Sequence, residues 1–234
     1  MAEAVPAVCE SLKELKGRYI CFSNVHTTVT AIEHKKYLDI LNGSAYTFPD
    51  GVPIAKRLRR SGAAKAERIA GPDFMEEALK QTSTGSISHY FYGTSEETLK
   101  KLEAVLRHKY PDMKIAGFYA PPFRDLSKEE DDELVLRINE AKPDIIWVGI
   151  GAPRQETFMA DHAGRFDGVM LGVGAAFDFQ AKTAKRAPLI MQKLSLEWLH
   201  RVISDPRRLL KRYLVTNTKY IWYCITTDCR KRRN

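Results

Sequence analysis

Short apolar runs alternate along this chain with longer stretches in which apolar residues recur every three or four positions. Residues 18–23 are a β-favouring run, and His26–Leu41 has helical spacing. Ser88–Gly93 is a clearer case. This aromatic-rich run predicts a strand, after which Thr94 or Ser95 can cap a helix whose first turn holds Glu96 and Glu97. Pro111 and Asp112 then break the helix near Tyr110. Met113–Tyr119 reads as the next strand, and Leu126–Ala141 as the next helix, with Ser127 as its cap. Pro143 introduces a continuous apolar run ending in Gly149 and Gly151. A helix over about Gln155–Ala163 follows, then a strand running from Gly168 into Gly172 and Gly174.

Strands alternating with helices predict an α/β fold, Rossmann-like, with a mostly parallel sheet and helices on both faces. Ligands in such folds bind beyond the carboxyl ends of the strands. Those ends are Ser23–Asn24, Gly93–Thr94, Gly149–Pro153 and Gly172–Ala176, so the candidate residues are expected on one rim. From Pro188 the pattern becomes helical, basic and aromatic. The expected organisation is an N-terminal extension (1–17), a Rossmann-like domain carrying the site (18–187) and a basic, aromatic C-terminal appendage (188–234).

Composition narrows the class of protein. The 44% hydrophobic and 28% charged fractions of the 234 residues are ordinary for a globular chain. Residues 1–17 lack a basic start followed by an apolar run, and no stretch approaches the ~18 apolar residues of a membrane span. The four cysteines and six histidines show no metal-ligand spacing. A cytoplasmic protein is therefore expected. Charge adds more. Residues 182–234 hold fourteen Lys/Arg against three acids, a net +11, so with a total of +8 the first 181 residues carry −3. An anionic partner is implied: membrane lipid, a diphosphate or nucleic acid. The rim lacks the basic excess and no nucleic-acid motif is present, which argues against nucleic acid. Trp198, Leu199, Leu209, Leu210, Tyr213 and Leu214 interleave with basic residues, a pattern suited to an anionic membrane surface.

Two G-x-G turns follow strands, at Gly149/Gly151 and Gly172/Gly174. Neither completes G-x-G-x-x-G, because Arg154 and Phe177 occupy the third place. Each alone is either a tight turn or a phosphate-binding loop; two on one rim favour a nucleotide. Arg154, Gln155 and Glu156 sit at the mouth of the first, where Gln155 can bond sugar hydroxyls as donor and acceptor, or the segment simply caps a helix. Asp50, in Pro49–Gly51, is either a turn or cap residue or a general base projecting from a loop. Arg68 can neutralise a diphosphate, and Asp73 reads as the cap of a helix over Phe74–Lys80. His26 is the one histidine near the rim; His34 and His108 read as solvated.

These residues, taken in order, resemble the WecG/TagA/CpsF family of bacterial glycosyltransferases over about residues 18–220. The resemblance rests on Ser23–Asn24, Pro49–Gly51, Glu67–Gly71, Phe91–Gly93, Gly149–Glu156, Gly172–Phe179, Arg186–Pro188, Leu196–Arg201 and Asp205–Arg208. It implies inverting, metal-independent transfer of a hexose or N-acetylhexosamine, such as N-acetylmannosamine, from a UDP-sugar to an undecaprenyl-diphosphate-linked saccharide. Cell-surface polysaccharide or teichoic acid synthesis is the implied setting. Asp50 matches the family's proposed base, Arg68 and Gln155 its substrate contacts, and Arg201 and Arg208 the arginines that close over the diphosphate. Asn24, Gly93, Gly151, Arg154 and Gly174 complete the expected donor and acceptor site. No cofactor and no metal are expected, and the sequence leaves a homo-oligomer open. The implied location is the inner face of the plasma membrane, peripherally attached. Phe22 stands where some members carry threonine, which removes a hydroxyl expected near the sugar and bears on N-acetylmannosamine as donor. The alternative is a non-catalytic nucleotide-sugar-binding module that scaffolds an assembly complex.

Overall fold

A computed structural model describes residues 1–188, 190–191 and 196–231. Its six strands are β1 (Tyr19–Ser23), β2 (Tyr46–Pro49), β3 (Ser88–Gly93), β4 (Lys114–Tyr119), β5 (Ile145–Gly149) and β6 (Val169–Gly172), in the sheet order β2-β1-β6-β5-β3-β4. The pairings from β1 through β6, β5 and β3 to β4 are all parallel. This is the expected α/β, Rossmann-like architecture with helices around the sheet.

Contacts divide the chain into two compact units. The first holds Met1–Phe22, Ile40–Phe48 and Ile69–Lys185; the second holds Ser23–Asp39, Pro49–Arg68 and Arg186–Asn234. Twenty Lys/Arg and seven Asp/Glu fall in the second unit, a net +13, so the first carries −5 of the total +8. The charge asymmetry is thus sharper in space than along the chain.

In the first unit, strand alternation sends Trp147, Phe91 and Leu171 to one face and Val148, Tyr92 and Met170 to the other. The first set forms one buried cluster with residues of α1 (Ala4–Glu10), α5 (Gly71–Gln81), α6 (Glu96–Lys109) and α9 (Ala176–Gln180). On the opposite face α8 (Arg154–Asp161) stacks Phe158 on Tyr92, ring centroids 4.5 Å apart. With both faces covered, the central strands are fully buried, which is why they read as unbroken apolar runs. Ser95 caps α6, and Ser127 forms a capping box with Glu130 at the start of α7 (Lys128–Glu140).

Some elements differ from expectation. The helix expected over His26–Leu41 is two, α2 (Val25–Glu33) and α3 (Lys35–Gly43), because His34 adopts an extended backbone between them. Asp73 does not cap α5. That helix begins at Gly71 behind an Ala70 N-cap, and Asp73 lies within its first turn, still favourable to the helix dipole. Phe22 points into the core, its ring 5.4 Å from Phe74 and 5.7 Å from Phe48.

A buried polar chain crosses this core. Trp147 Nε1 donates to His89 Nδ1 at 3.1 Å. Indole is a donor only, so the His89 proton resides on Nε2 and is donated to Thr82 Oγ1 at 2.9 Å. The Thr82 hydroxyl donates in turn to Ala78 O at 2.7 Å. Burial lowers the His89 pKa to about 4, against a partial opposing effect of Asp144. The unfolded chain therefore binds a proton that the folded one refuses between pH 6.5 and about 4. The contribution of neutral His89 is fully present above pH 6.5 and is lost as the pH falls to 4, by about 3 kcal/mol at ~1.4 kcal/mol per pH unit. Denaturant unfolding of wild type and His89→Gln at pH 7 and pH 4.5 should show the wild type losing more stability on acidification. An equal loss would remove His89 as the cause.

The second unit contains α2, α4 (Val52–Arg60), α10 (Glu197–Ser204) and α11 (Pro206–Lys231). α11 packs along α2, where Lys219 Nζ lies 2.6 Å from Glu33 Oε1 and the Tyr223 hydroxyl donates to the same oxygen at 3.2 Å. Tyr220 donates to Pro53 O of α4 at 3.1 Å. Among the described residues no helix is long and apolar enough to cross a membrane.

Candidate active site

In the first unit, the carboxyl edge of β3, β5 and β6 gathers Gly93, Gly151, Arg154, Gln155 and Gly174. Gly93 pairs in register with Gly149, and its φ of +137° brings it so close that a Cβ would lie 2.6 Å from the Gly149 carbonyl carbon. Glycine at 93 is thus a packing requirement. Gly151 differs: its φ is +83° and a Cβ there would meet nothing within 4 Å. An open, glycine-only turn at the start of α8 is the geometry that lets an anion reach backbone N–H groups.

Gln155 is almost fully buried, 4% exposed, not lying at the mouth as expected. Its Nε2 donates to Gly172 O at 2.9 Å and to Glu156 Oε1 at 2.8 Å, while Oε1 has no hydrogen-bond partner among the described residues. The role open to Gln155 is therefore that of an acceptor. Oε1 would lie 3.5 Å from a Cβ at Gly174, whose φ is +55°. Glu156, placed by the sequence at the same mouth, is also buried, at 1%, and lies in the first turn of α8.

A cavity of about 610 Å³ opens beside this edge, lined by Thr94, Gly149, Ile150 and Arg154 on one side and the 121–128 loop on the other. Phe123, on that loop, is 90% exposed. The Arg124 guanidinium grips both oxygens of Glu130, each at 2.6 Å, and fastens the loop to α7. Arg154 reaches into solvent, 3.8 Å from Asp125. The floor includes Tyr92, Phe158 and His162. His162 has its ring nitrogens 2.8 Å from Phe158 O and from Asp131 Oδ1. Burial works to raise the Asp131 pKa, but hydrogen bonds from Arg165 and His162 outweigh it and hold the carboxyl below its ordinary range. No motif marked the 121–128 loop as part of this wall, because only the fold brings it opposite Thr94, Gly149 and Arg154.

In the second unit, Asn24 is the N-cap of α2. Its Oδ1 accepts from the His26 and Thr27 N–H groups at 3.0 and 3.2 Å, and Thr27 returns a bond to the Asn24 N–H at 2.8 Å. The Asp50 N–H donates to Ser23 O at 2.8 Å, which pins the Pro49–Gly51 turn to the end of β1. Gly51, not Asp50, occupies the N-cap position of α4, and no side chain caps that helix. Arg68 pairs with Glu197, Nη2 to Oε2 at 2.9 Å. Burial first, then the Arg212 charge, lowers the His26 pKa and so favours its neutral form. Arg201 and Arg208 lie on α10 and α11, but their side chains fall outside what the structure describes. Among the described residues no group of three or more His, Cys, Asp or Glu is placed to hold a metal ion.

Comparison with known proteins agrees with this fold and these motifs. Residues 1–234 match the family described as glycosyl transferase WecG/TagA/CpsF. Proteins from Staphylococcus aureus strains MW2 and NCTC 8325 are each 33% identical over 192 residues, 82% of this chain and 74% of theirs. Both are described as N-acetylglucosaminyldiphosphoundecaprenol N-acetyl-beta-D-mannosaminyltransferase. The chain belongs to the WecG/TagA/CpsF family and is a glycosyltransferase.

Proposed function

We propose that this enzyme transfers N-acetylmannosamine, or a closely similar hexose, from a UDP-sugar to an undecaprenyl-diphosphate-linked saccharide, with inversion and without a metal, in cell-surface polysaccharide or teichoic acid synthesis. The relatives' described activity supports both the sugar and the lipid diphosphate. Phe22, where some members carry threonine, packs its ring into the aromatic core. The open Gly151 turn and the adjoining cavity suit the nucleotide and its phosphates.

The observation that carries the catalytic assignment is the Pro49–Gly51 turn. Its backbone is held by Ser23 while Gly51 takes the capping position, so Asp50 is not needed to start α4. In this reading Asp50 accepts the proton of an acceptor hydroxyl as the oxygen attacks the anomeric carbon. The bond to UDP breaks on the opposite face, and its electron pair passes to the leaving diphosphate. Arg68, Arg201 and Arg208 offset that charge. The enzyme works as a peripheral protein on the anionic inner membrane surface. Along α11, Leu210, Leu214, Ile221 and Ile225 are exposed on one face, with Trp222 beside them and basic residues between.

A panel of UDP-sugars, assayed against short polyprenyl-diphosphate-linked saccharides, tests the reading. Transfer from one donor is expected. UDP binding with no product on any acceptor would instead make the chain a nucleotide-sugar-binding module.

A further inference from the structure

Glu197, the first residue of α10, stands between two arginines of the second unit. Its Oε2 accepts from Arg68 Nη2 at 2.9 Å, and its Oε1 lies 3.6 Å from Arg186 Nε. The three side chains are largely withdrawn from water, at 22%, 18% and 20% exposure for Arg68, Glu197 and Arg186. Two guanidinium groups brought together in a shielded place repel one another, and desolvation adds to the cost. One carboxylate with an oxygen turned to each offsets this, through a hydrogen bond to Arg68 and a longer ion pair to Arg186. Planar guanidinium groups match phosphate oxygens in pairs, and a carboxylate placed between two of them draws both toward one point before any ligand arrives.

We propose that Arg68 and Arg186 form a two-arginine receptor for a diphosphate, and that Glu197 is the positioning residue that aligns them. Neither Arg186 nor Glu197 had an assigned role. The inference rests on the reading above that Arg68 meets a diphosphate. That group belongs either to the nucleotide donor or to the lipid acceptor, and the two are chemically alike at this site.

Calorimetric titration of the full chain separates the sources, with UDP as one probe, a short polyprenyl diphosphate as the second, and uridine as a phosphate-free control. Arg186→Gln should weaken tenfold or more the same probe that Arg68→Gln weakens, leaving uridine unchanged. Glu197→Gln should weaken that probe and raise KM for its substrate more than it lowers kcat, whereas Glu197→Asp should recover most of the loss. In a Glu197→Ala background, the further effect of Arg186→Gln should shrink, because the pair is no longer aligned. The proposal is overturned if Arg186→Gln binds both diphosphates within twofold of wild type, or if it weakens uridine equally, which is the mark of a structural role only. Loss of effect at Arg68 as well would sink the underlying reading of Arg68; an effect at Arg68 without one at Arg186 would sink only the receptor.

Discussion

Asp50→Asn is expected to lower turnover by roughly 10²–10⁴-fold while leaving the unfolding transition close to that of the wild type. The amide has the carboxylate's size but cannot take a proton at neutral pH. Two local features do not use the carboxylate: the turn is held by the backbone bond from the Asp50 N–H to Ser23 O, and α4 starts at a Gly51 N-cap. Steady-state release of UDP, measured beside a thermal melt, separates the two effects. Near-normal turnover in a folded variant would remove Asp50 as the base. A variant that loses turnover and stability together would return Asp50 to a structural role.

The second large effect is expected on the exposed stripe of α11. Ile221 and Ile225 are 58% and 56% exposed and lie one helical turn apart. Burying such a side chain is worth about 1.5–3 kcal/mol, and a glutamate in its place also meets repulsion from an anionic surface. Ile221→Glu with Ile225→Glu should therefore reduce co-sedimentation with phosphatidylglycerol vesicles by at least tenfold. Turnover on a long-chain lipid acceptor should fall with it, while turnover on a soluble short-chain acceptor persists. Vesicle binding at wild-type strength would contradict the membrane reading. Point changes are the better test than removal of residues 188–234. The contacts of Lys219 and Tyr223 with Glu33, and of Tyr220 with Pro53, make those residues part of the second unit's packing.

The contrast between legible and illegible elements follows from burial. β3, β5 and β6 were legible because both faces of each are covered, which leaves unbroken apolar runs. α6 and α7 were legible because Ser95 and Ser127 write their caps into the sequence. β2 was not recognised as a strand: Tyr46 and Thr47 are exposed and only Pro49 is buried, so no alternation emerges. α1 was read as an extension, yet Val5 and Val8 are buried in the core of the first unit. Seven residues are too few to show a helical period.

The candidate site divides the same way. Gly151 and Gly174 were found from their place after strands, and both have positive φ. Gly93 was chosen on the same grounds, but its backbone is packed against Gly149, a long-range contact that no local pattern carries. Gln155 and Glu156 look solvent-facing at the start of a helix, and only the fold shows that both turn inward. Likewise, Arg68 and Glu197 are 129 positions apart, and nothing near either in sequence announces the pair. The ordered motifs identified the family where single residues could not, since each motif alone has a mundane explanation and their common order does not.

The most direct test of the central claim is the anomeric configuration of the product. Wild-type enzyme should be supplied with UDP-N-acetylmannosamine and a short-chain lipid diphosphate bearing N-acetylglucosamine, with a metal chelator in excess, and the new linkage read by proton NMR. Full turnover is expected, with an anomeric configuration inverted from that of the donor. A retained configuration, or turnover abolished by the chelator and restored by a divalent cation, would contradict it.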